Sequence, residues 1–179
     1  MTRQKDWLLQ AANVILILAE LVFAFAAIAV VIGIIAVLTF ARGKFLADLA
    51  ASGAPAGTYL ASVVALLLVW VMLGLSVLFV RQLRKIVGTV DKGDPFLPDN
   101  AARLARMGWY ALGTQLCEFA GQPLVATYGK YAGGTTHGLG ISGGERVSLA
   151  PLGLAITLFI LARVFRQGAA MREDLEGTV

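Results

Sequence analysis

The chain has 179 residues, 58% of them hydrophobic and 15% charged, with a formal charge of +4 and a mean hydropathy of +0.78. Soluble domains carry about 25% charged residues, so this composition excludes an ordinary water-soluble domain and points to one small membrane-embedded unit. Its single cysteine, Cys117, excludes an internal disulfide.

Four apolar runs follow one another at 8–40, 59–80, 107–126 and 149–164. About 20 helical residues cross a bilayer core. We therefore expect an all-α, four-helix transmembrane bundle, with residues 1–179 as one membrane domain. The first run begins at the interfacial Trp7 and is much longer than the roughly 7–15 apolar residues of a signal peptide, so it is expected to be retained. Ala29 and Gly33 form a small-xxx-small pair suited to close helix approach, in this chain or between copies of it. The loop at 41–58 follows, where Phe45, Leu46 and Leu49 can form a short turn lying on the membrane surface.

The second run ends in the basic cluster Arg81, Arg84 and Lys85, and its helix is expected to continue toward Val90 before Gly93 and Pro95 break it. The loop at 81–106 is rich in turn residues, with Asp99 or Asn100 placed to cap the next helix. Trp109 and Tyr110 mark re-entry, and Pro123 interrupts the backbone hydrogen bonds of the third run. The loop at 127–148 is glycine-rich and carries His137, the only histidine. Ser148 can cap the fourth helix, with Pro151 in its first turn. An apolar stripe through Leu161, Phe165, Met171 and Leu175 extends that helix into a charged tail.

The basic residues set the orientation. Arg3, Lys5, the 81–106 loop (Arg81, Arg84, Lys85, Lys92, Arg103, Arg106) and the C-terminal end (Arg163, Arg166, Arg172) hold most of them. The two other connections hold only Arg42, Lys44, Lys130 and Arg146. Positive-inside bias then places both termini and the 81–106 loop in the cytoplasm of a multi-pass membrane protein. Spread along helix ends in this way, the basic excess meets lipid head groups and implies no direct nucleic-acid contact.

Two carboxylates fall within the apolar runs, each on a polar stripe: Gln10, Asn13 and Glu20 on the first helix, Gln115, Glu118 and Gln122 on the third. Counted outward from Trp7 and Trp109, the two stripes lie at similar depth and could meet. One reading is a proton- or cation-responsive pair or a small ligand cavity; the other is interhelical hydrogen bonding that specifies packing. Arg163 is a candidate counter-charge for Glu20. Neither a zinc-protease motif, a nucleophile elbow nor a phosphate loop is present, and Asp91, Asp94 and Asp99 do not fit calcium-loop spacing. No catalytic residue, cofactor or metal is therefore expected.

The segment Val90-Asp-Lys-Gly-Asp-Pro-Phe96, with Asn100, Arg103-Leu104 and Gly108-Trp109, resembles the signature of a bacterial membrane family catalogued as domain of unknown function 2975. The ending Val164-Phe-Arg-Gln-Gly168, then Arg172 to Val179, is similar to that family's ending, and the likeness runs over nearly the whole chain. The resemblance implies a four-helix inner-membrane protein, often encoded beside a small helix-turn-helix regulator of the Xre type. Two functional expectations follow. One is a non-enzymatic signalling or regulatory protein that holds such a regulator at its cytoplasmic face, through Gly93, Asp94, Pro95, Phe96, Asn100, Arg103, Leu104, Phe165, Met171 and Leu175. These apolar residues could equally pack on one another and cap the bundle. The other expectation is a small transporter or ion pathway using the Glu/Gln stripes, with homo-oligomers enclosing the pore.

Overall fold

The computed structural model describes residues 7–55, 57–91, 96–131 and 148–176, and every element among them is an α-helix. They are α1 (Trp7–Leu38), α2 (Arg42–Ala51), α3 (Gly57–Asp91), α4 (Pro98–Tyr131) and α5 (Ala150–Glu176). The expectations for His137, Gly93, Asp94, Pro95 and the side chain of Leu175 lie outside the described residues.

Local sequence explains the helix limits. The expected surface turn is a full helix, α2, with Leu49 buried beneath it and the Phe45 ring 6.0 Å from that of Tyr59. It closes through Gly53 at φ +70°, with Gly53 N bonded to Ala50 O and Ala54 N to Leu49 O. These are the paired bonds of a glycine-ended helix stop, and an L side chain would be strained at that φ. The continuation of α3 to Asp91 agrees with the expectation that it persists past the basic cluster. Ser148 stands before α5 as expected, its Oγ accepting from Ala150 N at 3.3 Å.

Three of the described helices are long and apolar enough to cross a membrane, α1, α3 and α5, against the four expected. The exception is α4. Its apolar run is diluted by Gln115, Glu118, Gln122 and several small residues, so its hydropathy does not reach that of a span judged by itself.

Cross-helix contacts fix the register. Along α4, Asn100 meets Thr89, and Cβ atoms added at Gly113 and Gly121 would meet Leu75 and Leu68, so α4 runs antiparallel to α3. Gly108 faces Phe159 and Glu118 meets Ser148, so α5 runs antiparallel to α4. The helices thus form a row, α1 on α3, α3 on α4 and α4 on α5. The buried core lies toward one end of this row. Leu104, Met107, Leu158 and Ala162 form it, with Phe79, Leu83, Ile86 and Phe165 packed around them. The same register brings Arg81 and Arg84, Arg103 and Arg106, and Arg163 and Arg166 into one basic belt around the core.

Candidate functional site

The most fully built polar arrangement lies in that belt. Asn100 is completely buried. Its Nδ2 donates to Thr89 Oγ1 at 2.8 Å, and its Oδ1 accepts from Arg103 Nη1 at 2.9 Å. Arg103 also reaches Lys85 O at 3.4 Å and Asp99 Oδ2 at 3.4 Å. One side chain therefore ties the last turns of α3 to the first turns of α4. The sequence points to Asp99 or Asn100 as a helix cap, but α4 already begins at Pro98 and Asn100 is an interhelical hub. The missed signal was an Asn three residues before an Arg, which sets both on one helix face.

Phe96 stacks on Phe165 with ring centroids 5.3 Å apart, and its ring occupies the space that a Cβ on Gly168 would need, 2.9 Å away. Leu104 is buried in the core. Of the residues read as a partner surface, Phe96, Asn100, Arg103, Leu104 and Phe165 thus hold the bundle together. Among the proposed surface residues, Phe96 at 44% and Met171 at 62% exposure keep apolar surface open to solvent.

The two polar stripes do not join. Glu20 sits between Arg81 and Arg84: Arg81 Nε donates to Glu20 Oε1 at 2.6 Å, and Arg84 Nη1 lies 3.0 Å from Oε2. The second contact is close enough for charge attraction but off the hydrogen-bonding direction, and Oε2 accepts no hydrogen bond. The counter-charges of Glu20 are therefore these two α3 arginines, not Arg163, which is exposed on α5. The pairing places Glu20 level with the basic belt rather than deep in the apolar run, because α1 begins well beyond the belt. Gln10 and Asn13 lie further toward that end, both exposed.

Glu118 has different partners. It accepts from Gln115 Nε2 at 3.4 Å and from Ser148 N at 3.3 Å, so it satisfies a backbone donor just ahead of α5. Gln115 is 4% exposed and its Oε1 accepts nothing, while Gln122 is half-buried one turn beyond Glu118. Among the described residues Ala29 and Gly33 likewise make no close helix approach: Ala29 is exposed, and a Cβ on Gly33 would meet no atom within 4 Å.

Between these two polar levels lies a cleft of about 620 Å³. Phe23 of α1, Ser76, Phe79 and Val80 of α3, Ala111 and Thr114 of α4, and Leu154 of α5 line it. The hydroxyls of Ser76 and Thr114 donate to their own helix at Met72 O and Ala111 O, so the cleft wall is effectively apolar.

The sequence model of one family, described as Protein of unknown function (DUF2975), matches residues 45–179. It covers α3, α4, α5 and most of α2, and leaves α1 outside, a narrower extent than the whole-chain likeness expected from the sequence. No curated protein and no solved structure matches the chain.

Proposed function

The chain belongs to the family described as Protein of unknown function (DUF2975), and on that premise we propose a non-enzymatic, multi-pass protein of the bacterial inner membrane that regulates by docking a soluble partner at its basic end. The membrane reading is supported by the three apolar helices. It extends to α4 as a fourth span, because α4 lies against α3 over most of its length. Leu116 and Phe119, 70% and 50% exposed, face outward for lipid, while Gln115 is turned inward. On this reading the basic belt lies on the cytoplasmic side, in keeping with positive-inside bias, and both termini lie there with it.

The observation that carries the docking role is where order is concentrated. The buried core, the Asn100 hub and the Phe96–Phe165–Gly168 contact all lie at the belt end, where α3, α4 and α5 continue beyond the arginines. An end presenting exposed Met171, with Gln167 and Asp174 on the same face of α5, suits a protein contact in which an apolar anchor sits within a polar rim. The partner that the resemblance implies is a small helix-turn-helix regulator, held at the membrane and restrained. Co-purification of the full chain with any small helix-turn-helix regulator encoded beside its gene tests this. Met171→Asp should abolish the association while leaving the fold intact, and unchanged association would reject the surface. An ion pathway along the two carboxylate stripes gains no support, since Glu20 and Glu118 have separate partners.

A further inference from the structure

The apolar cleft and the Glu20 cluster are continuous. On α3, Ser76, Val80 and Arg84 follow one another at steps of four, so Arg84 extends the cleft wall by one turn. On α1, Glu20 lies three residues before Phe23 and extends the opposite wall in the same direction. At this mouth one carboxylate faces two guanidiniums, which leaves an excess positive charge. Both arginines keep much of their surface open, at 54% and 42% side-chain exposure, and Arg81 uses only its Nε on Glu20. Glu20 holds the two guanidiniums at the seam while taking only the Nε donor of Arg81.

We propose that the cleft between α1, α3 and α5, with Arg81 and Arg84 at its mouth, holds one anionic phospholipid of the cytoplasmic leaflet. Its phosphate lies on the two guanidiniums, and an acyl chain lies against Phe23, Phe79 and Leu154. The site rests on the membrane reading above, which sets the belt at head-group level and the cleft at hydrocarbon level. Charge decides the occupant: a zwitterionic lipid would fill the cleft equally well but gain less from the excess cation, since each basic group near anionic lipid contributes measurably to binding. The planar guanidinium also suits phosphate oxygens through paired donors. A helix of a second copy would place apolar side chains against the charged mouth and leave it unmatched.

The test uses the full chain purified in mild detergent, with retained lipid counted by native mass spectrometry after addition of phosphatidylglycerol or phosphatidylcholine. Phosphatidylglycerol should be retained in preference, one per chain. Arg81→Gln with Arg84→Gln should reduce that preference by about tenfold. Arg81→Lys with Arg84→Lys should keep most of it, which separates lost charge from lost fold. Leu154→Trp, filling the cleft from a half-open position, should lower retention of both lipids. Equal retention of the two lipids by the unaltered chain would overturn the proposal. So would a preference that survives the double Gln substitution, or retention unaffected by Leu154→Trp. Displacement of the lipid by soluble glycerol phosphate would also overturn it, since a phosphate site alone needs no cleft. Release of the chain from membranes by an alkaline wash without detergent would instead reject the membrane reading itself, and the lipid site with it.

Discussion

α1 and the three-helix unit of α3, α4 and α5 solve the same problem in different ways. α1 has no buried residue yet runs along α3 through an extended contact, with Glu20 set between two arginines of α3. The three-helix unit buries Leu104, Met107, Leu158 and Ala162, and ties its helices with a fully buried asparagine. In hydrocarbon an apolar helix gains little by leaving lipid for protein, so α1 can be stable without burial, whereas α4 carries Gln115 and Glu118 and needs neighbours. The family match beginning at residue 45 takes in the packed unit and leaves α1 outside.

Substitutions that act on one region and not the other can break this contrast, and thermal melting in detergent measures each. The largest loss is expected in the core: Leu158→Ala should cost about 3 kcal/mol through lost contacts and an unfilled cavity. The hub comes next. Asn100→Ala leaves Arg103 without its closest acceptor and removes the donor to Thr89, at a cost of about 2 kcal/mol. Gly168→Ala forces the Phe96 ring aside and should cost about 1 kcal/mol, most of it recovered in the double variant with Phe96→Leu. Smallest is Glu20→Gln in α1, below about 1 kcal/mol because its arginine partners are half exposed. If Glu20→Gln lowered melting as much as Leu158→Ala, α1 would be a structural equal of the bundle and the contrast would fail.

Much of the architecture is legible from the chain. Apolar runs locate α1, α3 and α5, and Ser148 announces α5. The relation between helices is not legible in the same way. Trp7 suggested a depth for Glu20 that the structure revises, because register between helices is set by side-chain fit across the seam and not by distance from an interfacial residue. The close approaches at Gly108, Gly113 and Gly168 each depend on which large side chain arrives opposite: Phe159, Leu75 and Phe96. Glycines in apolar helices signal that an approach exists, but not its partner. The residues read as a partner surface illustrate the same limit, since only the structure shows that Phe96 and Phe165 meet each other while Phe96 stays 44% exposed.

The proposed docking face and lipid site both require the basic belt and the ordered core to share the cytoplasmic side. Met171, exposed on α5 beyond the belt, reports this directly as Met171→Cys in a Cys117→Ala background. A membrane-impermeant maleimide should label that cysteine only after cells are permeabilised. Labelling of equal extent in intact cells would place the belt outside and contradict the orientation, the docking face and the leaflet of the lipid site together.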